Sequence, residues 1–113
     1  MNGNQPIQGG DGPMPPTIQH TVVFRLAHAP GSTEEAAFLA DAVRILTGIP
    51  GVQDFTVNRQ VSSKSPLAWQ FSMVFADRSA YAEYDAHPDH AAFVSERWLS
   101  EVAAFQEYDY EAY

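Results

Sequence analysis

At 113 residues the chain has room for one domain with its own hydrophobic core and not for two. Six Lys and Arg stand against 14 Asp and Glu, and the formal net charge of −8 repels phosphate backbones and anionic membrane surfaces, so neither nucleic acid nor a membrane is expected as a partner. Cysteine is absent, which excludes disulfides, thiolate catalysis and thiolate metal sites, and no apolar run approaches the length of a membrane span.

The first segment, Met1 to Pro16, is built largely from Gly, Pro, Asn and Gln. Its few apolar side chains cannot offset the entropy of ordering it, so a flexible tail is expected ahead of a domain over residues 17–113. The segment lacks the basic start and apolar run of a secretory signal, and a cytoplasmic location is the default expectation. From Ile18 to Leu26 the run IQHTVVFRL is rich in β-branched and aromatic residues and predicts a strand. Its alternation sets His20, Val22, Phe24 and Leu26 on one face and Thr21, Val23 and Arg25 on the other.

After a turn at Pro30 and Gly31, Ser32 followed by Glu35 forms a capping-box signature. Phe38, Leu39, Ala42, Val43, Ile45 and Leu46 then recur at helical spacing, predicting a helix over Thr33 to Leu46 that Gly48 and Pro50 stop. A second strand is predicted over Val52 to Val61. A third covers Leu67 to Phe75, with Leu67, Trp69, Phe71, Met73 and Phe75 on a large apolar face and Ala68, Gln70, Ser72 and Val74 on a smaller, more polar one. The large face is expected to pack under helices and the smaller one against the sheet of a partner subunit. Asp77 or Ser79 can cap a short helix running through Tyr84. The motif HPDH interrupts it, because Pro88 disfavours a helical residue before it and suits the first turn of a new helix. That helix carries Phe93, Val94, Trp98 and Leu99, and a last strand is predicted from about Val102 to Tyr110.

The order strand, helix, strand, strand, helices, strand is the ferredoxin-like split pattern, an α+β fold with a four-stranded antiparallel sheet and helices on one face. One chain leaves the other face uncovered, and a symmetric second copy would close the two sheets into a dimeric α/β barrel. A homodimer is therefore expected.

The landmarks QHTVVFRL, IPGV (Ile49 to Val52), YDAHPDH (Tyr84 to His90) and YDY (Tyr108 to Tyr110), in this order and spacing, resemble the stress-responsive A/B-barrel (Dabb) family over about Gln19 to Tyr110. The resemblance implies the dimeric barrel and leaves activity open, since many members have no known one. One branch, similar to plant polyketide cyclases, closes a linear polyketide by aldol condensation without a cofactor. Its catalytic Tyr and His carry over onto Tyr84 and His90, and a pocket histidine onto His20. A further pocket histidine of that branch is replaced here by Trp69, so its substrate does not carry over.

As candidate catalytic residues, His90 can hold or release a proton near neutrality, and the Tyr84 phenol can donate to a substrate carbonyl as an enolate develops. The bland alternative places His90 in the first turn of its helix, tying up backbone groups around Pro88 and packing beneath Tyr84. His20, Trp69, Phe24 and Tyr81 are the candidate substrate-binding residues, set against the reading in which these aromatics are simply core. His87 and His90 stand three apart beside Asp85 and Asp89, but Pro88 between them works against convergence, so no metal and no cofactor is expected. His28 is expected in solvent, as are the acidic residues after Tyr108. The leading functional expectation is binding of a small hydrophobic, aromatic or polyketide-like molecule. A cofactor-free lyase or isomerase using Tyr84 and His90, or a purely structural stress-response protein, are the alternatives.

Overall fold

The structure is a computed structural model that describes residues 15–113, so residues 1–14 of the expected tail lie outside the described part. Strand β1 (Ile18–Leu26) is central, and Ile18, His20, Val22, Phe24 and Leu26 are all buried on the face its alternation predicts. It pairs antiparallel with β3 (Trp69–Phe75) on one side and with β4 (Val102–Tyr110) on the other. β2 (Gln53–Arg59) adds antiparallel to the outer side of β3, giving the order β2-β3-β1-β4. This is the expected ferredoxin-like sheet, in which β1 and β2 run parallel and are joined by a helical crossover.

The crossover helix α1 spans Thr33–Thr47, and the Ser32 hydroxyl accepts from the Glu35 amide at 3.1 Å as the cap signature predicts. Glu35 does not complete the capping box by returning to Ser32. Its carboxylate accepts instead from the Gly31 amide at 2.9 Å and from the Trp69 indole N–H at 3.1 Å, which ties the helix start to β3. Phe38, Ala42 and Leu46, four residues apart, form the buried stripe of α1. The helix ends in the turn Ile49-Pro50-Gly51-Val52. Gly51 takes φ 92°, a backbone region that side-chain-bearing residues enter only with strain, while Pro50 supplies the preceding position. β2 is shorter than predicted. Asp54 sits at φ 52° in a bulge opposite β3, and the extra residue turns Phe55 onto Phe71, ring centroids 5.4 Å apart.

Phe24, Phe38, Phe71, Met73 and Phe75 are fully buried between sheet and helices. Each such side chain contributes about 1.5–3 kcal/mol by leaving water, so this cluster dominates the stability of the domain. Helix α2 (Arg78–Ala86) is capped by Asp77, whose carboxylate accepts from the Ala80 amide at 2.8 Å. Helix α3 (Pro88–Phe93) follows directly, capped by His87 Nδ1 accepting from the Asp89 amide at 3.0 Å. It runs on into a π-helical stretch, Val94–Trp98, and a last turn, Leu99–Glu101, that the periodicity does not predict.

An ionic network fastens the π stretch to α1. Arg97 Nη1 donates to Asp41 at 2.6 Å and Nε to Glu101 at 2.5 Å, and the other Glu101 oxygen lies 2.7 Å from His28 Nε2. His28 is therefore half-buried in a network and not solvated as expected; its loop is drawn down onto the end of the last helical turn. The Arg97 guanidinium holds the Glu101 and Asp41 carboxyls below the ordinary carboxylate range.

All these helices pack on one face of the sheet. On the opposite face, among the described residues, lie Thr21, Val23, Ser72, Val74 and the half-exposed Tyr108 and Tyr110, with the two phenol rings 6.3 Å apart. Its small polar groups are satisfied locally. Thr21 donates to the Tyr108 carbonyl at 2.8 Å, and Gln19 to the Ser72 hydroxyl at 3.1 Å. No helix among the described residues is long and apolar enough to cross a membrane.

Candidate functional site

On the helix-facing side, antiparallel pairing sets side chains in rows across the strands. His20 stands between Met73 of β3 and Asp109 of β4, Val22 between Phe71 and Glu107, and Phe24 between Trp69 and Phe105. Tyr84 of α2, His90 of α3 and Trp98 of the π stretch lie above the β1 and β4 ends of these rows. Together they enclose a cavity of about 260 Å³. Its polar groups come from His20, Tyr84, Asp85, His90 and Glu107, and its apolar wall includes Val22, Leu46, Met73, Phe93 and Trp98. Leu99 and Phe105, both well exposed, stand at its mouth.

The three residues singled out by the HPDH break and the first strand meet here. The Tyr84 ring lies 4.7 Å from that of His90 and 6.2 Å from that of His20. Tyr84 is only 2% exposed, yet among the described residues no protein group is hydrogen-bonded to its hydroxyl. Buried phenols usually find a partner, so this oxygen is unsatisfied by the chain itself. Burial first, then the neighbouring Tyr81, Asp85 and Glu107, raise the Tyr84 phenol well above its ordinary pKa, and it stays a neutral donor.

His90 Nδ1 lies 3.1 Å from the Asp85 carbonyl oxygen. A carbonyl can only accept, so Nδ1 carries a proton in this contact. The carbonyl belongs to the last turn of α2, where backbone acceptors lack helical partners. His90 thus serves the chain turn with one nitrogen, while its Nε2 has no hydrogen-bond partner among the described residues. His87 engages its Nδ1 with the Asp89 amide, so the two histidines spend their Nδ1 atoms on different backbone groups. Among the described residues no set of three or more His, Asp or Glu side chains could hold a metal ion.

His20 is buried, and its Nδ1 lies 2.5 Å from an Asp109 carboxylate oxygen while Nε2 is 3.9 Å from Glu107. The carboxylate accepts, so the dyad fixes the ring with Nε2 towards Glu107. The expectation that the C-terminal acidic residues are merely solvated fails at Asp109, which is drawn to His20 by the pairing of β4 with β1. Glu107, which no sequence feature singled out, joins the cavity wall by the same register. The available signal was the alternation of β4, which puts Phe105, Glu107 and Asp109 on one face.

Trp69, Phe24 and Tyr81 do not line the cavity. Trp69 lies at the β2 side of the sheet, its indole N–H on Glu35 and the Arg59 guanidinium 4.3 Å from its ring. Phe24 is wholly enclosed, with Phe71 4.7 Å and Trp98 5.1 Å away, and presents no surface to a ligand. Tyr81 stands behind His20, rings 4.9 Å apart, and faces a separate hollow of about 200 Å³ beside Arg78 and Tyr110. Alternation predicts the face that Phe24 and Trp69 take, and both take the predicted side. The helices leave this space over β1, β4 and the Phe71–Met73 part of β3, a position that alternation does not specify.

Fold and cavity define a ferredoxin-like α+β domain with a mainly apolar pocket, carrying a few polar groups, between sheet and helices. The family profile of the stress responsive A/B barrel domain (Dabb) matches residues 18–112, and the chain belongs to that family. A Dabb family protein with a ferredoxin-like fold from Mesorhizobium loti is 51% identical, with a TM-score of 0.86 over 87% of this chain and 98% of that one. At 12% identity, a hydroxynitrile lyase from Passiflora edulis superposes with a TM-score of 0.75 over 88% of this chain and 95% of its own. A dimeric ferredoxin-like protein of unknown function from Thermobifida fusca does so at 13% identity and a TM-score of 0.70, over 87% and 92%. These last two likenesses concern the fold alone. No curated protein matches the chain at a significant level.

Proposed function

We propose that this chain acts as a homodimer that binds a small, largely apolar or aromatic molecule in the cavity between sheet and helices, with Tyr84, His90 and His20 as its polar contacts. The observation that carries the reading is the Tyr84 hydroxyl, almost fully buried at the cavity and without a protein partner among the described residues. A group of that kind costs stability unless something in the cavity accepts its proton. The uncovered sheet face, with Val23, Val74, Tyr108 and Tyr110, is the surface a second copy would bury, and the Thermobifida protein of this fold is described as dimeric. Titrating the labelled protein with p-cresol, followed by amide chemical shifts, tests the reading. Shifts concentrated around Tyr84, His90 and His20 are expected; shifts scattered over the surface, or none at millimolar phenol, would overturn it.

The His90 geometry supports a second reading, a cofactor-free lyase or isomerase. With Nδ1–H donated to the Asp85 carbonyl, Nε2 can take a proton from a carbon next to a substrate carbonyl while Tyr84 donates to the developing enolate oxygen. The Passiflora hydroxynitrile lyase demonstrates that this fold can house a lyase. Under this reading His90→Ala abolishes turnover and leaves the oligomer and its melting temperature close to wild type. A variant that fails to fold would assign His90 to structure alone.

A further inference from the structure

Resting on that binding reading, we infer that the cavity selects an uncharged single-ring ligand carrying two or more hydroxyl donors, and that Glu107 is the residue that excludes carboxylates. The inference follows from an inventory of the polar atoms at the wall. His20 engages its Nδ1 with the Asp109 carboxylate and His90 its Nδ1 with the Asp85 carbonyl, so each ring leaves Nε2 without a hydrogen-bond partner in the chain. The Glu107 and Asp85 carboxylates add acceptors only, and the side-chain donors at the wall without a partner among the described residues are the Tyr84 hydroxyl and the Trp98 indole N–H. Among the described residues lining the cavity there is no Lys or Arg.

The wall is thus rich in acceptors and poor in donors, and a ligand that complements it must supply protons. His20 Nε2 and the Glu107 carboxylate are 3.9 Å apart, too far to satisfy each other and close enough to share one hydroxyl between them. An anionic group would meet two carboxylates and no Lys or Arg, which favours neutral ligands over carboxylates. Size narrows the class further. A cavity of about 150 Å³ holds benzene, so about 260 Å³ suits one ring with a few substituents and not an extended chain.

Calorimetric titration of the full chain with three probes built on the same ring tests this. Resorcinol has two donors, 1,3-dimethoxybenzene has the same oxygens without donors, and 2,4-dihydroxybenzoate adds a carboxylate. Resorcinol is expected to bind about tenfold or more tighter than either, the ratio that one well-made hydrogen bond or one avoided charge clash supplies. Glu107→Gln, at a side chain more than half exposed and so tolerant of change, removes an acceptor from resorcinol and a like charge from the benzoate, and should narrow the ratio between the two by about threefold or more. Dimethoxybenzene binding as tightly as resorcinol, or benzoate binding as tightly in the wild type, overturns the inference while leaving the pocket reading intact. A ratio left unchanged by Glu107→Gln removes Glu107 from the selection. If none of the three rings binds, the pocket reading itself falls, and this one with it.

Discussion

Replacing Tyr84 by Phe removes one oxygen from a side chain that is 2% exposed and keeps its ring contacts with Phe75 at 4.9 Å and His90 at 4.7 Å. For most buried tyrosines this change is costly, because a hydrogen-bond partner is left stranded. Here no described protein group bonds to the hydroxyl, so nothing is stranded. A buried hydroxyl without a partner costs about 1–3 kcal/mol in a dry site, and water in the cavity offsets part of that. Tyr84→Phe should therefore leave stability unchanged or raise it by up to about 1 kcal/mol, which in a domain of this size is a rise of roughly 4–8 °C in Tm. The same change should weaken ligand binding, the pattern of a group kept for function at some cost to the fold. Differential scanning calorimetry at one fixed protein concentration is the assay, since a dimer would couple Tm to concentration. A loss of more than about 1 kcal/mol would show that the hydroxyl is a structural hydrogen-bonding group, and the pocket would lose its main support.

Arg97→Met removes the guanidinium from Glu101 and Asp41, whose folded-state pKa values it depresses. A depressed carboxyl contributes stability above its unfolded value, near 4.5 for Glu101 and 3.8 for Asp41, and loses it as pH falls through the folded value. The wild type should then lose stability on acidification from about pH 5 to pH 3, and the variant should show a flatter acid limb in urea midpoints. An unchanged acid limb would mean that the network contributes nothing measurable. Val74→Glu places a carboxylate on the uncovered sheet face, where a two-fold partner would bring a second one close. Light scattering at micromolar protein should report a monomer, and a dimer mass retained by this variant would locate the interface elsewhere.

The parts of this molecule that could be read from its sequence are those where a local pattern and a tertiary environment coincide. In β1 and β3 the side chains alternate with the pleat and the buried face is also the apolar one, so period, strand and burial agree. The HPDH break fixed Tyr84 and His90 for the same reason. Pro88 forces the chain out of one helix and into the next, and both residues are set by that turn. β2 ended short of its predicted length at Gln60, whose side chain bonds the Ser65 and Leu67 carbonyls of the following connection, a contact that the strand's own composition does not reveal. Asp109 looked like one more solvated acid near the end of the chain. It became the partner of a buried histidine only through strand pairing across 89 residues of sequence. The π stretch left no mark either, since its composition is that of any helix. Arg97 within it is held from outside by Asp41 on α1, and Trp98 beside it packs on Phe24 and walls the cavity. The ring-sized space under Trp98 is thus a product of contacts between distant segments, while the Tyr84–His90 pair beside it is a product of one short motif. Local sequence could therefore name the two polar side chains before it could place the wall around them.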